Sequence, residues 1–177
     1  FNSQNCIAQQ DSRNGKSLPC NGTLRVLIIF VEYDYDVRDT LDPTNAKTGS
    51  LKWPKGQLPV WKDSVFHPYE TADSKGLLTQ FYGESSFNNF RVLGDYYPKL
   101  ITIKESEVKS LDDFGFNIKT VIEKVSLGGT FKSNSGLKAE DFDNWTMTQQ
   151  GGPKTTPSID SPHKWDHVML LYRNARN

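Results

Sequence analysis

Apolar positions in this chain fall into short blocks, and the spacing within each block predicts its secondary structure. Leu24-Arg-Val-Leu-Ile-Ile-Phe-Val31 is nearly continuous in β-branched and apolar residues. A continuous run, unlike an alternating one, predicts a strand buried on both faces. Ser74 to Tyr82 predicts a short helix, with Leu77, Leu78 and Phe81 at helical spacing and Ser74 as its cap. Phe87 to Tyr97 and Leu100 to Lys104 read as two strands broken by Pro98. Ser110-Leu-Asp-Asp113 opens a second helix with a capping-box pattern. Its inner face is Ile118, Val121, Ile122 and Val125, and Gly128-Gly129 ends it. Trp165 to Tyr172, centred on Val168-Met-Leu-Leu171, reads as a last buried strand.

The order is strand, helix, two strands, helix, strand. It predicts an α/β fold with a mixed, mainly parallel sheet and two crossover helices, the middle two strands forming an antiparallel pair. Residues 1–23 are expected to form an irregular arm and residues 24–177 a single domain. Residues 34–73 are polar and carry Pro43, Pro54, Pro59 and Pro68. A loop of that length is uncommon unless it is functional or packed on itself. Trp53, Trp61, Phe66 and Tyr69 favour packing. The chain ends shortly after the last strand with no closing helix, so the domain is expected to be incomplete. An exposed apolar face or sheet edge near that strand, able to dimerise, is the corollary.

Composition narrows the classes. At 177 residues the chain suits one domain. Hydrophobic residues make up 36% and aromatics 12%, which predicts a core rich in Phe, Tyr and Trp. Zero formal net charge gives no attraction to nucleic acid or anionic lipid. No run approaches the roughly 20 apolar residues of a membrane span. The chain opens at Phe1 without a basic-then-apolar leader, which fits a processed, extracytoplasmic protein. Cys6 and Cys20 would close a loop of about 15 residues, worth about 3 kcal/mol as a disulphide in the chain-entropy model. A paired count in a processed chain favours that bridge over two free thiols. Asn21-Gly-Thr and Asn144-Trp-Thr match the glycosylation pattern, which also arises often by chance.

Candidate chemistry is sparse. His163-Lys-Trp-Asp-His167 has the i, i+4 spacing of a zinc-protease helix. Lys164 stands where the glutamate base would be, and the segment runs from Pro162 into a strand, where such residues lie about 13 Å apart. The plainer reading makes His163 a loop residue and His167 a strand start. Asp34, Asp36, Asp39 and Asp42 could gather oxygens for calcium, yet Arg38 offsets their charge and no EF-hand spacing is present; a solvated acidic loop fits better. Glu140-Asp-Phe-Asp143 is a weaker version of the same cluster. The sequence holds no Gly-x-Ser-x-Gly elbow and no phosphate-cradling glycine loop, so neither a serine hydrolase nor a nucleotide site is indicated.

One segment is more specific. Leu77-Leu-Thr-Gln-Phe-Tyr-Gly-Glu-Ser-Ser-Phe-Asn-Asn-Phe-Arg-Val-Leu-Gly-Asp-Tyr96 resembles a stretch of immune-inhibitor-A-like zinc metallopeptidases. In that family a helix ending in an aromatic pair, a Ser-aromatic turn and a strand reaching Gly-Asp precede the zinc motif. Leu24 to Tyr33 is similar to the family's opening strand. Asp143 and Trp165-Asp-His-Val-Met-Leu-Leu-Tyr172 are similar to its Asp-aromatic lead-in and third strand. The resemblance implies the upper, N-terminal subdomain of a zincin-like peptidase. The family's HExxH helix follows its third strand and an edge strand, and no position here matches its ligands, its base or its substrate-pairing strand. Zinc is therefore expected only downstream, with no catalytic or metal residue in this chain.

Two functions follow as expectations. The chain is the scaffold half of a secreted zinc-dependent endopeptidase, inactive alone and partnered by the missing C-terminal half, with protein or peptide as substrate. The alternative is a non-catalytic secreted binding or adhesion module on the same fold, using the aromatics of residues 53–69. A third and weaker reading is a small α/β hydrolase with an unseen triad.

Overall fold

The computed structural model describes residues 22–34, 53–69, 77–107, 114–126, 130–144 and 165–173. Cys6, Cys20, Asn21, Asp36, Asp39, Asp42, Ser74, the Ser110–Asp113 cap, Gly128-Gly129 and His163 lie outside those residues. The elements are β1 (Gly22–Asp34), α1 (Leu77–Ser85), β2 (Phe90–Tyr96), β3 (Ile101–Lys104), α2 (Phe114–Ser126) and β4 (His167–Tyr172). The predicted arm therefore gives up Gly22 and Thr23 to the first strand.

Each of the other three strands pairs with β1, and each pairing is parallel. The fold is α/β with an open parallel sheet and few helices. The expected antiparallel pair is not formed. β2 and β3 instead run in succession along one edge of β1, Ile28 facing Tyr96 and Val31 facing Ile101. Between those pairs, Ile29 and Phe30 stand against Tyr97, Pro98, Lys99 and Leu100. Tyr97 still donates its N–H to Ile28 at 2.8 Å. Pro98 has no N–H to donate, so the ladder breaks there and the surplus residues bow out before it resumes. The break that suggested a hairpin is an interruption in one edge. β4 takes the other edge, because Val26, Leu27 and Ile28 pair with both β2 and β4.

Alternate residues of β1 feed two cores. Leu24, Val26, Ile28 and Phe30 face Trp53, Phe66, Phe90, Val92 and Tyr96, with Leu78 and Tyr82 of α1 packed alongside. Leu27, Ile29 and Val31 face Val121 and Val125 of α2, together with Ile101, Ile103 and Phe142. On the first face much of the cover is the 53–69 loop. Phe30, fully buried, is ringed edge-to-face by Trp53, Trp61 and Tyr96 at centroid distances of 5.4, 5.7 and 5.9 Å. Such contacts add about 0.5–1.5 kcal/mol per pair beyond area burial. Three of the four loop aromatics are thus core residues, and only Tyr69 is exposed. The sequence favoured packing for these aromatics, and as core residues Trp53, Trp61 and Phe66 cannot serve as the contact surface of the binding-module alternative. Helix α1 also differs in detail, since Leu78 and Tyr82, four apart, face the core while Phe81 is 60% exposed.

At the carboxyl end of the sheet, Glu32 and Arg173 are both buried, with Nε 2.8 Å from Oε2. The Gly56 N–H donates to the same oxygen at 3.0 Å, and the Thr102 hydroxyl donates to the other at 3.3 Å. One carboxylate therefore ties β1, β3, the loop and the residue after β4. Tyr33 and Tyr172 stack beside it at 5.5 Å. Glu32→Ala would strand the guanidinium in a dry site, at an expected cost of about 3–5 kcal/mol. Urea unfolding measures this directly; a loss under about 1 kcal/mol, the range of an exposed pair, would contradict the assignment.

Candidate functional site

In open parallel sheets the usual ligand crevice lies beyond the carboxyl ends of the strands, where connections diverge. Among the described residues, Glu32, Arg173 and the tyrosine stack stand at that end of the sheet. A polar cavity lies at the outer edge of β2.

That edge is capped by two irregular segments. The Gly94 N–H donates to the His67 carbonyl at 3.0 Å, and the Asn134 N–H donates to the Tyr96 carbonyl at 2.9 Å. The Tyr69 hydroxyl joins the two caps by donating to the Ser135 carbonyl at 3.0 Å. Between them is a cavity of about 260 Å³, lined on its polar side by Lys62, Asp63, His67, Asp95, Asn134 and Ser135. Phe66, Pro68 and Tyr96 supply apolar wall. The glycine at position 94 is a steric requirement. A Cβ there would stand 2.8 Å from the Phe66 ring and 2.8 Å from the Val26 carbonyl oxygen.

Asp95 is only 5% exposed. It accepts the Ser135 N–H at 2.7 Å and the Tyr96 N–H at 2.9 Å. Asp63, which is exposed, takes the Lys62 ammonium at 2.8 Å. Desolvation works to raise the Asp63 pKa, but hydrogen bonds from Lys62 and Tyr96 outweigh it and hold the carboxyl below its ordinary value. Burial, then the hydrogen bond to Asp63, raises the Tyr96 phenol far above its ordinary value. Tyr96 is therefore a neutral donor throughout the physiological range. The His67 Nδ1 is 2.6 Å from the Tyr69 carbonyl oxygen, a separation that calls for a proton on Nδ1. The Tyr69 amide, 3.2 Å from the same nitrogen, competes less closely. In that tautomer Nε2 is an acceptor. Arg25 donates to the Pro68 carbonyl, and burial lowers its pKa against the opposing pull of Asp141, Tyr69 and Asp95.

The residues singled out from sequence lie elsewhere. His167 opens β4, as the plainer reading had it. Asp34 pairs with Lys55 at 3.5 Å. Glu140 lies 3.6 Å from the Lys138 ammonium, while Asp143 is fully buried. The Asp166 side chain receives the Asn144 N–H, and its own N–H reaches the Phe142 carbonyl at 2.9 Å. Among the described residues no three His, Cys, Asp or Glu side chains group as a metal site. No described helix is long and apolar enough to cross a membrane. The cavity is hard to see in the sequence because its lining comes from four separate segments, around residues 28, 62–68, 94–96 and 134–135. A glycine inside the strand at Gly94, followed by an acidic residue, was the available signal. Comparison with protein-family models, curated proteins and solved structures returns no match.

Two variants test this description. Gly94→Ala should destabilise the chain by about 1–3 kcal/mol, through displacement of Phe66 or the strand; an unchanged thermal midpoint would refute the close approach. Burial lowers the His167 pKa. Its unfolded counterpart protonates near about 6.5, so below that pH the unfolded state binds more protons. His167 thus contributes a loss of stability as pH falls from about 7 toward about 5. In His167→Gln the unfolding free energy should decline less over that interval, and an identical decline would remove the assignment.

Proposed function

We propose that this chain is the N-terminal scaffold half of a secreted zinc-dependent endopeptidase, inactive by itself, with the zinc-bearing helix in a downstream half. One observation carries the reading. The segments similar to immune-inhibitor-A-like peptidases fall on framework: residues 24–33 on β1, 77–96 on α1 and β2, and 165–172 on and just before β4. All six residues of β4 are half-buried, and among the described residues β4 pairs only with β1. A further strand, from a downstream half or a second copy, has an edge on which to add. The Ser86 turn between α1 and β2 is closed by the Phe90 N–H donating to the Ser86 hydroxyl at 3.0 Å. That makes the α1–β2 unit a rigid piece to build against.

A second reading, a non-catalytic secreted binding module, draws on the cavity beside β2. Metal analysis separates the two. The longer product of the same gene should carry one zinc per chain and lose peptidase activity on chelation, whereas this chain alone should carry none. A reading frame without HExxH beyond Asn177 would sink the peptidase proposal. Stoichiometric zinc on the chain alone would sink the claim that its metal lies downstream, and would point to His163 and His167.

A further inference from the structure

The cavity beside β2 is unusual in its charge. Its lining holds two carboxylates, Asp63 and Asp95, and one ammonium, Lys62. Lys62 is committed to Asp63 at 2.8 Å, which neutralises that wall. Asp95 is the group left over. It is nearly inaccessible, and its hydrogen bonds come from two neutral backbone amides. Among the described residues no Lys, Arg or His comes within ion-pair distance of it. Arg25 acts on Asp95 only through space, its guanidinium being held by the Pro68 carbonyl. A buried carboxylate is costly unless a cation completes it.

We propose that this cavity binds a primary ammonium group on an aliphatic stem, such as a lysine side chain of a peptide, with Asp95 as its counter-ion. The volume, about 260 Å³, is below the usual range for drug-sized ligands and suits a single side chain. The aromatic surfaces of Phe66 and Tyr96 accept a methylene stem and attract a cation. Nε2 of His67, an acceptor in the tautomer described above, and the amide oxygen of Asn134 are the further polar groups able to take ammonium protons. A neutral hydroxyl ligand would leave Asp95 with Arg25 at a distance and no cation in contact, which is why the ammonium is preferred. The assignment deepens the binding-module reading and stands independently of the peptidase proposal.

Titration of the whole chain with Nα-acetyl-lysine amide, followed by NMR or calorimetry, tests it. Nα,Nε-diacetyl-lysine amide, which has the same stem without the charge, is the control. The expected result is saturable binding in the millimolar range or tighter for the amine and at least about tenfold weaker binding for the diacetyl compound. Asp95→Asn should weaken amine binding by a similar factor. Because that variant also touches the β2 cap, Asn134→Trp, at an exposed position on the cavity wall, provides a second test by obstructing the space while keeping Asp95. Equal binding of the two compounds, undiminished binding in both folded variants, or no binding to the unaltered chain would each overturn the proposal. Zinc content is unaffected by any of these outcomes, so failure here is separable from failure of the peptidase reading.

Discussion

Everything in this fold answers to the strand β1. Residues 24–31 are apolar at nearly every position, so the strand cannot leave either face in water, and a central strand cannot leave either edge unbonded. Both demands are met. β2 and β3 share one edge, β4 takes the other, and two separate apolar layers close over the alternate residues. On one face that layer is largely a loop rather than a helix. Phe30 explains how a loop suffices, because two loop indoles, Trp53 and Trp61, packed edge-on against one buried ring replace the ridge of aliphatic side chains a helix would bring.

The electrostatic counterpart of β1 is Glu32. Apolar packing specifies that β1 is central but does not fix the register at which β4 joins it. The buried pair with Arg173, beside the Tyr33–Tyr172 stack, adds a charge match at one register only. Slipping a strand by one residue would move its side chains to the opposite face and separate the pair. The sheet's carboxyl end is consequently a structural joint, and the polar cavity sits at a lateral edge.

Element types were legible because hydrophobic period is local. The continuous run of β1, the Val121 and Val125 face of α2 and the position of His167 at a strand start all read directly. Strand pairing was not local. Pro98 looks the same in sequence whether it marks a hairpin or an interruption, and only the register with β1 decides between them. Phe81 was misassigned because Leu78–Tyr82 and Leu77–Phe81 are both helical pairs, and the choice between them depends on what the helix packs against. The cavity was the least legible feature. Asp95 is buried only because the segments of His67 and Ser135 come together on the outer edge of its strand, and nothing near it in sequence announces either neighbour.

The parallel arrangement around β1 also sets how this chain must fold. Neither edge of β1 can be satisfied by a nearby hairpin: one waits for residues 90–104, the other for residues 167–172. Contacts between such distant segments carry a large loop-closure cost before they return any stability, which slows folding. During synthesis β1 emerges before any of its partners and stays unpaired on its second edge until residues 167–172 have followed. The most apolar segment of the molecule is therefore its longest-lived aggregation hazard, and the interval before Arg173 reaches Glu32 is when a chaperone would matter most.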